Sequence, residues 1–538
     1  MGIKNFYLGF KNKFSSCIST DIENDCDVLI IELNGLFYKN CKKIYHDVER
    51  IKKIKQNDLY LILFNEICLG LEKIIRKYGK KTKKIFLVVD GVSGMMKNIE
   101  QRQRRYKNSF ENKYDSLFDL NCFSPGTKIL HFLTKYIDWY IRTEMNKDNF
   151  YKNIEIFFSN EKVVGEGEYK ILQFIKKKCI SNETIYIYSC DSDMILLSLF
   201  LFENKITLIR NSSIYGFEYV DIKKCRQILL YNFSFDKNTY ETLKDIYLLF
   251  FLLGNDYISN SPCIFHFNIL YNEILPLYKK NGTHFFKNEK DIHFKNLCYF
   301  LYSLHHFEEK WIIEKYKENN SYFPDSIYLQ QILPHHKKFD FNEYKNQYKK
   351  NNNIQENCSI YFYLATIQNL FNMYFSNNFN WSFFYPFYKS PFLSDFLCDD
   401  NVENKISLYL QNYNNNKICQ ESFYHLITVL PPQSKFLLPY SLQNIFIDLK
   451  EYYPSYIEID LTGKYKIWEG VVKLPMVDNN TFKDYYIRKK ITFSEEEHKR
   501  NIIGKCFYYR VLNSKQDSFY SYYGKIKENN VYTELVTI

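Results

Sequence analysis

Lys84-Ile85-Phe86-Leu87-Val88-Val89-Asp90-Gly91 is a short apolar run that closes on a carboxylate. A run of this length, with no 3.6-residue period, fits a strand buried on both faces. The theme recurs at Val28-Leu29-Ile30-Ile31-Glu32-Leu33, followed by Asn34-Gly35, and at Thr184-Ile185-Tyr186-Ile187-Tyr188-Ser189-Cys190-Asp191. Ile154-Glu155-Ile156-Phe157-Phe158-Ser159 repeats the apolar part. Between the first two runs, Leu59–Lys77 carries its apolar residues on one helical face. Short buried strands alternating with helices predict an α/β fold with a mostly parallel sheet flanked by helices. Ligands of such sheets bind beyond the carboxyl ends of the strands, and three of these runs deliver an acid there.

The rest of the chain sets limits on that reading. Its 538 residues suit two to four domains. With 49 Tyr and 47 Phe there is too much buriable surface for disorder to be the main theme. The longest apolar runs, Met194–Phe202 and Ile246–Leu253, fall short of the ~20 residues of a membrane-spanning helix. Lys and Arg number 72 against 61 acids, a net +11 that makes a nucleic acid the leading partner on charge alone. The 14 cysteines form no C-x-x-C pair, and Met1–Phe6 carries no apolar leader stretch, so reduced thiols and a cytoplasmic location are expected. Three regions are expected: a core over 1–265, a helical insertion over 266–355 where periodicity weakens, and a second mixed region over 356–538. The polar run Lys349–Asn353 reads as a loop.

Seven carboxylates sit at run ends or in tight pairs: Glu32, Asp90, Glu166 and Glu168 of Gly165-Glu166-Gly167-Glu168, Asp191 and Asp193, and Asp256 of Gly254-Asn255-Asp256. Singly, each has an ordinary explanation. A D-x-D after a strand is commonly a cap or loop acid, an E-x-E can cap the next helix, and Asp after Gly-Asn can be turn chemistry. Together, acids converging on one sheet edge would repel one another unless a cation lies among them. Oxygen donors with no His or Cys pattern point to Mg²⁺ or Mn²⁺. Two such ions about 4 Å apart are an arrangement that cuts phosphodiesters.

Seven residues after Asp90-Gly91 begins Lys97-Asn98-Ile99-Glu100-Gln101-Arg102-Gln103-Arg104-Arg105. On a helix Lys97, Gln101, Arg104 and Arg105 share an arc of roughly 100°. That face is a solvated basic surface or the equipment to grip a terminal phosphate. Its closeness in sequence to Asp90 favours the second reading.

At these residues the chain resembles the XRN family of 5′→3′ exoribonucleases. The resemblance rests on Met1–Phe6, Asp90-Gly91-Val92 with the Lys97–Arg105 spacing, Phe118–Thr127, and the acidic motifs. It continues through Asn380–Pro386, Ser394-Asp395, Leu430-Pro431-Pro432, Glu458-Ile459-Asp460, Gly463-Lys464, Trp468-Glu469-Gly470 and Arg500-Asn501. It implies a PIN-like 5′-nuclease core braced by the second region. It also implies Mg²⁺-dependent (or Mn²⁺-dependent), two-ion removal of mononucleotides from single-stranded RNA bearing a 5′-monophosphate, by a monomer. Lys97, Gln101, Arg104 and Arg105 would bind the 5′ phosphate. Tyr38 and Trp381 would stack on the terminal base. No decapping partner is identifiable.

The chain departs from the family pattern at two of these positions. Glu32 stands where the family has Asp, and one extra methylene can shift a metal ligand by about an ångström, which can cost ~100-fold. Tyr38 stands where the family has His, and a tyrosine ring still stacks. The alternatives are a catalytically weakened binder of RNA 5′ ends and a flap-type DNA 5′ nuclease. The latter class uses a helical hairpin with a Gly-rich turn, whereas Ser259-Asn260-Ser261-Pro262 follows Asp256 here.

Overall fold

The computed structural model describes all residues except 1–5, 23–24, 46–53, 112–117, 213–215, 289, 318–324, 333–338, 355, 377, 398–400, 413–418, 463 and 465–468. The opening pentapeptide, Gly463 and Trp468 therefore lie outside the described residues.

The apolar runs become β2 (Val28–Glu32), β3 (Lys84–Val88), β4 (Glu155–Ser159) and β5 (Thr184–Tyr188). With β6 (Lys205–Ser212) they form five parallel strands in the order β6-β5-β2-β3-β4. Both faces are covered, and this is why the runs are continuously apolar. Val28, Ile30, Phe86 and Val88 point into one core cluster, while Leu29, Ile31, Leu87 and Val89 point into the other. Pairing of Glu32 with Val88 brings the carboxyl ends of β2 and β3 level. Asp90 lies two residues past the end of β3, and Asp191 three past the end of β5.

Both sheet edges are antiparallel. On one side β7 (Gly216–Asp221) and the short β1 (Ile18–Ser19) extend the sheet beyond β6. On the other, β10 (Cys506–Gln516) pairs with β4, and β13 (Asn529–Val536) pairs with β10. The last strands of the second region thus complete the sheet begun by the first. Its remaining strands form two hairpins, β8 (Glu458–Asp460) with β9 (Val471–Lys473) and β11 (Phe519–Ser521) with β12 (Gly524–Ile526).

Four helices position the candidate site: α1 (Asn34–Tyr45), α2 (Met95–Glu111), α3 (Gly167–Lys178) and α4 (Asp193–Ser198). Each begins just past the carboxyl end of a strand. From the second region, α5 (Ser422–Val429) packs on α2. Residues 266–355 are largely helical where described, and Tyr278, Phe300, Trp311 and Tyr344 from this stretch enter the same apolar cluster as β2 and β3. The Lys349–Asn353 loop reading needs correction. Helix Phe341–Asn351 runs through Lys349, which is held there by an ion pair to Asp395 at 2.9 Å. Among the described residues no helix is long and apolar enough to cross a membrane.

Candidate functional site at the carboxyl edge of the sheet

Six of the seven acids gather where β2, β3 and β5 end. Asp90 is set by two backbone contacts: its amide donates to Asn34 Oδ1 at 2.9 Å, and its Oδ1 accepts the Gly167 amide at 2.7 Å. Glu32 uses its extra methylene to reach sideways, where its Oε2 accepts the Ser189 hydroxyl at 2.5 Å. The same Ser189 oxygen accepts the Asp191 amide at 3.0 Å. Gly167 lies between the first two acids. A Cβ there would sit 3.2 Å from Glu32 Cγ and 3.4 Å from Asp90 Oδ1.

Glu166 opens α3, yet its side chain makes no capping bond. It accepts instead from Gln101 Nε2 at 3.2 Å and from the Tyr257 hydroxyl at 3.1 Å. Asp256 is not the turn-forming residue either. Asn255 Oδ1 takes the Tyr257 and Ile258 amides, leaving Asp256 Oδ2 to meet Lys97 Nζ at 2.6 Å. Asp191 does act as a local cap, accepting the Asp193 amide at 3.0 Å. Asp193 itself starts α4, and its charge acts on Tyr247.

The field of this cluster follows from burial and like charge. Burial pushes the Glu32 carboxyl up to about 8, and Asp90 and Asp191 add to it. Glu166 is pushed up to about 7 by burial, with Lys97 opposing. Glu168 is driven well above the carboxylate range by burial and by Glu166. Asp256 behaves oppositely. Burial would raise it, but the Lys97 ammonium outweighs that and holds it at about 2. Lys97 in turn stays well above its ordinary value despite burial, because Asp256 and Glu166 flank it.

The basic face of α2 is therefore divided. Lys97 and Gln101, both buried, turn into the carboxylates. Arg105 is buried and rigidly held, with Nη1 donating to Gln101 Oε1 at 3.0 Å and Nε and Nη2 donating to Ser124 Oγ. Burial pushes its guanidinium down to about 10, and Arg104 adds to that. Arg104 faces a cleft of about 440 Å³ that also takes in Asp256, Tyr257 and Tyr388. The opposite face of α2 is clamped by the second region. Arg102 donates to the carbonyls of Tyr452 and Pro475, Gln103 to that of Val472 at 2.9 Å, and Asn98 to the Thr428 hydroxyl at 3.0 Å.

The two aromatic candidates part company. Tyr38, on α1, is half-buried edge-on to Phe123 and sits near Arg104 and Arg105. Trp381 is a buried core aromatic beside Phe379 and Tyr169, in the cluster on the other face of the sheet. Trp381 reaches α2 through its backbone, whose carbonyl accepts the Met95 amide at 2.8 Å.

Several supporting residues are not among the candidates read from the sequence. Asn34, Ser189, Gly167 and Tyr257 fix the acids, and Lys170 ties the strand ends by donating to the Val89 and Asn160 carbonyls at 2.7 and 3.0 Å. The second glycine of Gly165-Glu166-Gly167-Glu168 was the one usable clue. The donor set is all hard oxygen, which fits Mg²⁺ or Mn²⁺. Among the described residues, however, no three His, Cys, Asp or Glu side chains converge into a ready cation cage. Lys97 provides the positive charge between Asp256 and Glu166.

The fold and site define an α/β protein with an acidic centre at its strand ends and a guanidinium-bearing helix beside it. Residues 1–212 match the family model described as XRN 5′-3′ exonuclease N-terminus, and residues 335–537 match the one described as Xrn1 helical domain. The chain belongs to the XRN family. It is 24% identical to human 5′-3′ exoribonuclease 1 over 94% of this chain and 35% of that protein. Against 5′-3′ exoribonuclease 1 of Saccharomyces cerevisiae the identity is 22%, covering 97% of this chain and 45% of the relative. The chain thus spans less than half the length of these two relatives. A solved structure of the Rad2 catalytic core with DNA substrate covers 78% of this chain and 99% of its own at 12% identity, but its TM-score of 0.34 is too low to bear on fold or substrate.

Proposed function

We propose that this protein is a divalent-metal-dependent 5′→3′ exoribonuclease that removes mononucleotides from RNA carrying a 5′-monophosphate. The observation that carries the reading is the junction of α2 with the acids, where Gln101 meets Glu166 and Lys97 meets Asp256. A phosphate-gripping helix face and a strand-end acidic centre thereby share one wall. The XRN relatives that align over 94% and 97% of this chain support it, as each is named a 5′-3′ exoribonuclease.

Glu32, Asp90, Glu166, Glu168, Asp191, Asp193 and Asp256 are the oxygen donors that would hold Mg²⁺ or Mn²⁺. Two such ions, when bound, activate the attacking water and stabilise the leaving oxygen. The chain's own residues do the positioning. Arg105 is preorganised by Gln101 and Ser124, so its guanidinium loses little freedom on meeting a phosphate. Arg104 sits at the cleft wall to receive the same group. Lys97 is shared, because an incoming phosphate and the carboxylates compete for one ammonium. Tyr38 offers a ring near both arginines for the first base. The second region holds α2 in register through Arg102, Gln103 and Asn98. Nothing in this set requires a second copy, and we take the working form as a monomer.

The test is decay of one RNA bearing a 5′-monophosphate, 5′-triphosphate or 5′-hydroxyl, each with Mg²⁺, Mn²⁺ or EDTA. Decay of the monophosphate RNA alone, abolished by EDTA, is expected. Equal decay of all three ends would remove the phosphate-pocket assignment. No decay, with the monophosphate RNA still bound preferentially, would make the protein a 5′-end binder.

A further inference from the structure

A second cavity, of about 220 Å³, lies beside the cleft. The two share their walls. The loop after Asp256 gives Ser259 to the cleft and Asn260 to the cavity, the Tyr385–Lys389 segment gives Tyr388 and Lys389, and β9 gives Val472 and Lys473. The outer wall comes from helix Glu308–Lys317 and the residues after Asp325, in the stretch between the two family-matched spans.

Among the described residues, Lys315, Lys389, Lys464 and Lys473 line this cavity with two carboxylates, Asp325 and Asp460. Both carboxylates are already engaged. Asp325 accepts the Tyr316 and Tyr344 hydroxyls at 2.6 and 2.9 Å and the Ile327 and Tyr328 amides at 2.9 and 3.3 Å. Asp460 takes Lys389 at 2.8 Å and the Thr462 amide at 2.9 Å. Lys473 turns to Glu458 at 2.9 Å. Among the described residues the Lys315 ammonium has no acceptor or anion within bonding distance, and it stands 5.3 Å from the centre of the Phe265 ring and 5.2 Å from that of Tyr316. Burial pushes it down to about 8, against the pull of Asp325.

We propose that this cavity is a second phosphate-binding site, separate from the acidic centre, in which Lys315 meets the anion. A phosphate brings several strong acceptor oxygens to meet such an ammonium. The phosphate is either a free small anion or an internucleotide group of a chain lying across the shared walls. Only the second source rests on the exonuclease reading.

The test is calorimetric titration of the full chain in EDTA with two probes, pyrophosphate and a 5′-hydroxyl decaribonucleotide. In an Arg104→Ala background, which removes one contact of the pocket on α2, Lys315→Met is expected to weaken pyrophosphate binding about tenfold and Lys315→Arg to restore it to within about threefold. Parallel weakening of the decamer assigns the internucleotide source, and an unaffected decamer assigns the small anion. Either result supports the site. Pyrophosphate binding that is unchanged in folded Lys315→Met overturns it. If that variant does not fold, acetylation footprinting of the wild type decides instead. Pyrophosphate is expected to slow acetylation of Lys315 about tenfold, and no protection overturns the proposal.

Discussion

Replacing Lys97 with Met removes the ammonium that lies 2.6 Å from Asp256 and 3.2 Å from Glu166. The Asp256 carboxyl is held at about 2 instead of 3.8, which corresponds to roughly 2–3 kcal/mol of stabilisation. Breaking a buried pair also strands the surviving charge, so the full loss is expected to be about 3–5 kcal/mol. For a chain of this size that lowers Tm by roughly 3–5 °C. The assay is thermal unfolding in EDTA of the wild type, Lys97→Met, Asp256→Asn and the double variant. Asp256→Asn removes the acid that Lys97 serves, so the double variant is expected to lose less than the two single losses added. The coupling should be about 2–3 kcal/mol. The sign with pH follows from the same shift. A carboxyl depressed in the fold contributes stability above its unfolded value of 3.8, and that contribution is lost as pH falls towards 2. The gap between wild type and Lys97→Met is therefore full at pH 7. It narrows on acidification, as the stranded Asp256 takes up a proton. Adding Mg²⁺ should recover more Tm in Lys97→Met than in wild type. Additivity of the cycle to within about 0.5 kcal/mol would refute the claim that Lys97 is the counter-cation of the acidic cluster.

Three further outcomes are expected. Gly167→Ala puts a methyl 3.2 Å from Glu32 Cγ and 3.4 Å from Asp90 Oδ1. The two acids must part by a few tenths of an ångström, so kcat on monophosphate RNA should fall about tenfold with KM little changed. An unchanged kcat would show that their spacing is not critical. Glu32→Asp cannot reach Ser189 and should lose about 1–2 kcal/mol of stability. Ser189→Ala also strips the acceptor of the Asp191 amide, so on top of Glu32→Asp it should cost about 1 kcal/mol, less than its own loss in the wild type, and fully additive losses in denaturant titrations would show that the Glu32–Ser189 bond is not the cause. Burial pushes the Lys170 amine from 10.5 down to about 7. Its contribution is present above the unfolded value and lost as pH falls through the folded one. Between pH 7 and 9 the stability of wild type relative to Lys170→Met should rise by roughly 2 kcal/mol, and a flat difference would contradict the shift.

The strands were legible because burial on both sheet faces demands uninterrupted apolar residues, and Val28–Leu33 and Lys84–Val89 meet that demand locally. The placement of Glu32, Asp90 and Asp191 followed from chain direction, since each closes or follows such a run. The positions of Lys97, Gln101, Arg104 and Arg105 on one helical face followed from the 3.6-residue period. The helix end at Lys349 was not legible, because Lys349–Asn353 is wholly polar and the stripe of Phe341, Tyr344 and Tyr348 that seats the helix lies upstream of it.

By itself, then, the sequence determined the central strands, the acids at their ends and the basic face that follows them, because periodicity and burial are local properties. Only the tertiary structure decided what those charges face. Lys97 and Asp256 are 159 residues apart in the chain, and β10 reaches β4 across an even longer interval. The chain's local pattern records that a side chain is charged or a strand apolar. Which distant partner neutralises the charge or completes the sheet is fixed by packing alone.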